Sequence, residues 1–386
     1  MLLLRRRALA RLALASAAAL LVASCGQPPE AAAPDEPPDP TPEATEPAAD
    51  EDLAGEGEEQ PDDADEAEGP GLSVVSTVAP LVDIVAQVMG GRGEVVGLIP
   101  DGMDSHTYEP RPGDVAPLTE ADAFIGNGLA LNEAAVQLAE ANLPEGAPLV
   151  LLGDEALDES ELSDEHWHDH DDGHSHDHDH DDGHSHDHDD GHDGGANPHV
   201  WTSVPLMMAY LDHIAEVLAK VDPDGAEAYA AAAAEYSQEL DELDAAIREA
   251  VGSLPPEERR LVVYHDAWAY FGDEYGVEVI AAVQPSDFSE PSASDIRAII
   301  DQVREHDVPA LFGSEEFPSD VVGVIADETG ADYVGDLADD RLPGQPGDPE
   351  HSYVGMMATS AAKIVNALGG DAQPVEALAA GTEDSQ

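Results

Sequence analysis

Residues 224–251 limit what this chain can fold into more than any other stretch. They are rich in Ala and Glu, contain no proline, and have their one glycine, Gly225, near the start. Good helix formers without a breaker predict a single helix of about 28 residues, ~40 Å long at the standard rise. A rod of that length crosses a whole domain or joins two. On both sides of it, short β-rich runs alternate with helical spacing. Strands are expected at 72–77, 94–99, 123–126 and 148–152, with helices at 79–89, 114–120, 132–141 and 204–220. After Pro255-Pro256 the alternation resumes, with strands at 261–264, 278–283 and 309–312 and helices at 267–275, 292–306, 319–329 and 353–368. Such alternation predicts parallel sheets. The expected fold class is therefore α/β, as two similar α/β lobes (72–222 and 255–370) joined by one long helix (223–254), with 371–386 as a disordered tail.

The first lobe carries an insertion, 153–196. Its later part repeats Asp-His-Asp-Asp-Gly-His-Ser-His and holds His166, His168, His170, His174, His176, His178, His180, His184, His186, His188 and His192. This repeat cannot build an apolar core, and imidazole nitrogen with carboxylate oxygen is a ligand pairing that a borderline cation such as zinc prefers. Acid and glycine alone would make a solvated spacer without histidine. The tract reads as a ligand-rich loop with weak auxiliary metal sites, and the ordered part of the chain should hold a metal site of its own.

Six histidines lie outside the tract. His106, His199 and His265 fall in loops at strand or helix boundaries, where open α/β sheets bind ligands. His213 and His306 fall on helices, with solvent-facing positions expected, and His351 is ambiguous. A lone loop histidine is usually a surface residue; three at comparable places, beside a His-rich insertion, point to a shared site. A closed zinc site takes four protein ligands, so these three need one more. Asp336, Asp339 and Asp340, in the loop expected after a strand near 333–334, are placed at the same edge of the second lobe as His265.

Fourteen Lys and Arg stand against 84 Asp and Glu, a formal charge of -70. Nucleic acid is therefore not an expected partner. An acid-heavy surface with only Lys220 and Lys363 as lysines suits a saline habitat, where salt screens self-repulsion. The one cysteine, Cys25, excludes an intramolecular disulfide and a thiolate-rich zinc knuckle. Arg5, Arg6, Arg7 and Arg11 precede an apolar run over 12–22, the charge order and length of a secretory signal. Val22-Ala23-Ser24-Cys25 resembles the lipobox of bacterial lipoproteins, which implies a signal peptide over 1–25, cleavage before Cys25 and lipid attachment to it. The mature protein would then be tethered to the membrane and not span it. Residues 26–71, acidic and rich in Pro and Ala, are expected to be a disordered linker.

Several segments together resemble one family. Pro100-Asp101-Gly102-Met103-Asp104-Ser105-His106-Thr107-Tyr108-Glu109-Pro110, Asn197-Pro198-His199-Val200-Trp201, Tyr264-His265-Asp266-Ala267-Trp268 and Glu290-Pro291-Ser292-Ala293 look like signature segments of the zinc and manganese solute-binding proteins of ABC importers, the ZnuA and TroA type. The resemblance covers nearly all of 72–370. It implies a metal site in the cleft between the lobes, with ligands at His106, His199 and His265 and a fourth, acidic ligand. Aligning the family segment Gly-Glu-Leu-Phe-Ser-Asp-Ala-Leu on 335–342 puts that ligand at Asp340, with Asp339 beside it. Phe312-Gly313-Ser314-Glu315-Glu316 departs from the family pattern, so no role is carried over to Glu315. Members resembling manganese binders carry Glu where this chain has His265, and three imidazoles with one carboxylate suit tetrahedral zinc better than manganese.

The expected function is extracytoplasmic capture of Zn(II) as a transported ligand and its delivery to an ABC permease and its ATPase, by a monomer lipid-anchored at the outer face of the cytoplasmic membrane. The alternatives are a manganese-binding importer component and a surface zinc store or adhesin. An enzyme is not expected: a catalytic zinc keeps an open position beside a general base, and no His-Glu-x-x-His pattern is present. The tract is expected to gather zinc in exchanging sites beside the cleft, with sensing of zinc or buffering of an excess as the alternatives. A stiff helical bridge predicts small lobe displacements when metal leaves.

Overall fold

A computed structural model describes residues 71–163, 196–284, 290–315 and 319–381. In the first lobe β1 (Leu72–Ser76), β2 (Gly93–Gly97), β3 (Ala123–Gly126) and β4 (Leu149–Leu151) form a parallel sheet in the order β2-β1-β3-β4. The second lobe repeats the pattern. There β5 (Arg260–Val263), β6 (Glu278–Ala282), β7 (Ala310–Ser314) and β8 (Asp332–Leu337) run parallel in the order β6-β5-β7-β8. Val74, Val75, Phe124, Ile125, Leu261, Val262, Leu311 and Phe312 are buried, as central strands covered by helices on both faces require. In each sheet the strand order reverses beside the first strand of the lobe, so the loops leaving the carboxyl ends diverge there and open a crevice.

The helices are α1 (Ala79–Met89), α2 (Val115–Glu120), α3 (Glu133–Asn142), α4 (Leu152–Glu155), α5 (Val204–Val221), α6 (Ala226–Gly252), α7 (Ala269–Tyr275), α8 (Ala293–Glu305), α9 (Asp320–Thr329), α10 (Tyr353–Ala367) and α11 (Gln373–Gly381). Their starts are local chemistry. Ser203, Ser292, Ser319 and Ser352 each accept a backbone N–H at the start of α5, α8, α9 and α10, which satisfies a donor that the helix itself cannot. The long α6 buries Tyr229, Ala233, Tyr236, Leu240, Leu243, Ile247 and Ala250, one residue per turn. That stripe packs against α1 and α5 from the first lobe and against α10 and α11, which follow the second sheet. One apolar core consequently runs from Val74 and Ile84 through Trp201, Trp268 and Phe271 to Tyr353. The two lobes share a back wall.

Three expectations need correction. The tail expected to be disordered from 371 begins with α11, because Ala372 and Val375 are buried and Leu378 and Ala379 are half-buried against the core. The insertion expected from 153 starts later: α4, a 3-10 turn at Glu159–Glu161 and the half-buried Ala156, Leu157 and Leu162 belong to the first lobe. Asp336 lies within β8 and not in the loop after it. The signal, Cys25, the linker up to residue 70 and the eleven tract histidines lie outside the described residues. Among the described residues no helix is long and apolar enough to cross a membrane.

Candidate functional site

Loops from both sheets deliver four side chains to one point. His106 lies in the loop after β2. It is held there by Asp104, whose Oδ1 accepts the backbone N–H groups of His106 (2.9 Å) and Thr107 (3.2 Å). His199 follows Pro198, and Asn197 Oδ1 accepts its backbone N–H at 3.0 Å, an Asx turn that aims the ring. His265 comes two residues after β5, and Asp340 three after β8. The Nε2 atom of His199 is 2.9 Å from Nε2 of His106 and 2.9 Å from Nε2 of His265. The Asp340 carboxylate lies 3.5 Å from His106, 3.5 Å from His199 and 3.8 Å from His265. One donor atom from each residue falls within 4.8 Å of all the others. Ligands ~2.0–2.1 Å from a tetrahedral zinc stand about 3.3 Å from one another, which these separations bracket.

The groups behind the four fix how they point. Asn197 Oδ1 also lies 2.7 Å from His199 Nδ1, and because Asn197 Nδ2 donates to the Asp266 carbonyl (2.9 Å), its oxygen must face the imidazole. That assigns the proton of His199 to Nδ1 and leaves the lone pair of Nε2 facing the other donors. His265 Nδ1 stands 3.2 Å from Gln284 Oε1, the same arrangement on the second lobe. Ser105 Oγ donates to Asp340 Oδ2 at 2.9 Å across the cleft. Asp340 Oδ1 is buried and has no hydrogen-bond partner. A buried carboxylate oxygen in that state is costly unless a cation meets it.

Burial by itself would raise the Asp340 carboxyl, but the His199, His106 and His265 imidazoles outweigh it and hold the group below the usual carboxylate range. The adjacent Asp339 behaves in the opposite sense: burial pushes it up to about 7, with His265 pulling down and Asp340 adding to the rise. Its contacts are structural. Asp339 Oδ1 accepts from Ser314 Oγ at 2.8 Å, and its carbonyl accepts the Trp201 indole N–H at 2.6 Å.

Of the three aspartates left open by the sequence, the fold brings Asp340 alone beside the imidazoles. Asp336 is exposed and pairs with Lys363 Nζ at 2.9 Å. Glu315 stands 4.0 Å from Arg341. His213 pairs with Glu155 at 3.7 Å, His306 follows the end of α8, and His351 Nδ1 lies 3.1 Å from the Pro343 carbonyl, all outside the cluster. The sequence reading missed the supporting residues Ser105, Asn197 and Gln284. Ser105 and Asn197 stood in the quoted segments, and an Asn two residues before a loop histidine is a readable turn signal. Gln284 had none, since its meeting with His265 depends on the β5-β6 pairing.

Two parallel α/β lobes on one long helix, with three imidazoles and a carboxylate converging in the cleft, define a divalent-metal solute-binding protein. Residues 74–367 match the family model described as the zinc-uptake complex component A, periplasmic, and the chain belongs to that family. It is 30% identical over 305 residues to the manganese-binding lipoprotein MntA of Halalkalibacterium halodurans, covering 78% of this chain and 90% of that one. It is 36% identical over 253 residues to the high-affinity zinc uptake system protein ZnuA of Paracoccus denitrificans, covering 62% and 74%. The solved structure of the periplasmic zinc-binding protein TroA of Treponema pallidum superposes with a TM-score of 0.64 at 29% identity, covering 78% of this chain and 99% of that one. The family comprises metal-binding components of ABC importers, and the metals named for these relatives differ.

Proposed function

We propose that this protein captures Zn(II) outside the cytoplasmic membrane and delivers it to an ABC permease and its ATPase. His106, His199, His265 and Asp340 are the proposed ligands. The observation that carries this reading is the convergence of their four donor atoms within 4.8 Å, with Asp340 Oδ1 buried and without a hydrogen-bond partner. The choice of zinc rests on the donor set: three imidazoles and one carboxylate favour zinc over manganese, which prefers oxygen ligands. In the same proposal residues 1–25 are a lipoprotein signal, Cys25 carries the lipid, 26–71 is a spacer, and the body acts as a monomer. The eleven tract histidines gather zinc in weak, exchanging sites near the cleft.

The test is a competitive zinc titration of the body, residues 72–381, with 166–192 replaced by a short Gly-Ser linker. It is run beside the intact body and its His265→Ala form. One tight zinc without the tract, weakened by His265→Ala and kept in excess manganese, is the expected result. No tight zinc without the tract would move the metal site to the tract and the function to storage. Displacement by manganese would make that ion the cargo.

A further inference from the structure

The segment between β3 and α3 runs through the left-handed region at Gly128 (φ 81°), Leu129 (φ 54°), Ala130 (φ 58°) and Asn132 (φ 57°). Among the described residues one other non-glycine, Asp307, has a positive φ. Asparagine tolerates this conformation; leucine and alanine have no polar side chain to compensate it, so it persists only where surrounding contacts impose it. The contacts are present. Leu129 N–H donates to Asp154 Oδ2 at 3.3 Å, Leu131 N–H closes onto the Gly128 carbonyl at 3.0 Å, and both leucines are buried.

The conformation has a product. Asn127 and Asn132 flank the turn, and both are buried. Asn127 Nδ2 donates to the Pro198 carbonyl at 3.0 Å, and Asn132 Nδ2 donates to the Ser105 carbonyl. Those carbonyls belong to the residues immediately before His199 and His106. On an extended strand, positions five apart face opposite sides about 16 Å apart. The left-handed turn folds them together, so that one rigid segment grips both ligand loops of the first lobe. Asn132 Oδ1 accepts the Ala135 N–H at 2.9 Å, which ties the grip to the start of α3.

We propose that Asn127 and Asn132 are positioning residues, and that the turn between them sets the separation of His106 and His199 and with it the preference for a small tetrahedral cation over a larger one. This rests on the reading of those histidines as ligands. A loosened clamp lets the two imidazoles move apart, which harms zinc more than manganese.

The test uses the full body with Asn132→Gly, which keeps the backbone conformation, Asn132→Asp, which keeps the acceptor toward Ala135 and replaces the donor toward Ser105 by an oxygen, and Asn127→Ala for the other arm. Zinc and manganese affinities are measured by competition, the visible spectrum of the cobalt-loaded protein reports coordination geometry, and circular dichroism checks folding. His106→Ala and His265→Ala are run alongside. The expected result is zinc affinity lowered about 10- to 100-fold in folded variants, the usual range for partners behind metal ligands, with a reduced zinc-to-manganese ratio and an altered cobalt spectrum. Folded Asn127 and Asn132 variants with the original ratio and spectrum overturn the clamp while the ligand assignment stands. Unchanged zinc binding in the two histidine variants overturns the ligand assignment itself. Should Asn127→Ala not fold, the two Asn132 variants decide.

Discussion

Replacing Asp340 with asparagine tests the assignment of the fourth ligand most sharply, because it changes charge and almost nothing else. The amide has the carboxylate's shape and can still accept from Ser105 Oγ, which stands 2.9 Å away. What it removes is the negative charge now held between three imidazoles. Structural zinc sites of four ligands bind with about 10–16 kcal/mol, so one ligand of four carries roughly 3 kcal/mol. Loss of most of that share weakens zinc by about two orders of magnitude. At a zinc concentration that saturates the parent, a 100-fold weaker Kd removes about 2.7 kcal/mol of ligand-linked stability. For a body of this size that lowers the Tm of the zinc-loaded protein by ~5 °C relative to the parent. Chelator competition gives the Kd, and thermal unfolding with and without zinc gives the linked stability. If Asp340→Asn keeps the parent's zinc affinity while His199→Ala loses it, the fourth ligand is not Asp340 and the argument from its buried oxygen is wrong.

Other perturbations separate donor chemistry, protons and burial. His265→Glu exchanges an imidazole for a carboxylate and should shift the ratio of zinc to manganese affinity toward manganese, measured by competition between the two ions. Neutral imidazole is the metal-binding form, so zinc affinity should fall as pH drops from 7.5 to 5.5 and more steeply than for a carboxylate-only site, read from Kd against pH. Asp83, on α1, accepts the Tyr353 N–H at 2.8 Å, and burial raises its pKa despite that bond, Gln87 and His351. A carboxyl raised on folding contributes stability below its unfolded pKa and loses it as pH rises through the folded one. Asp83→Asn should therefore raise Tm at pH 7, with the gain shrinking toward pH 4.

The parts legible in the sequence are those fixed by local chemistry. Helix α6 was readable because nothing in 224–251 breaks a helix, and all eight strands because short β-rich runs alternate with helical spacing. The loop histidines were readable by position, each after a strand or before a turn. Among three aspartates within five residues, however, composition could not choose. The choice is made by β8 extending to Leu337, which leaves Asp336 facing Lys363 and turns Asp340 inward. The helix at Gln373–Gly381 had no local signal strong enough to set it apart from a tail, and its apolar positions matter only because α6 and α10 wait beneath them. The meeting of Tyr270 with Asn197 spans 73 residues, and no local signal reports it.

That meeting belongs to a set of bonds bearing on how metal leaves. The segment around His199 is joined to the second lobe by Asn197 Nδ2 to the Asp266 carbonyl (2.9 Å), Tyr270 OH to the Asn197 carbonyl (2.6 Å), Thr202 Oγ1 to the Ala267 carbonyl (3.0 Å) and Trp201 Nε1 to the Asp339 carbonyl (2.6 Å). Tyr353 OH adds a bond to the Trp201 carbonyl at 2.8 Å. Each contributes roughly 1 kcal/mol net. Trp201 and Tyr353 are also fully buried, and exposing two such aromatics costs up to about 10 kcal/mol at 25 cal/mol per Å². A wide opening of the lobes would therefore consume about as much free energy as a tight zinc site supplies. Release through a local rearrangement of the cleft loops is far cheaper, so solution scattering of the zinc-free and zinc-loaded body should give nearly superimposable profiles. A large domain rotation between the two would refute this, and would mean that the bonds around Trp201 exchange for others of equal strength as the cleft opens.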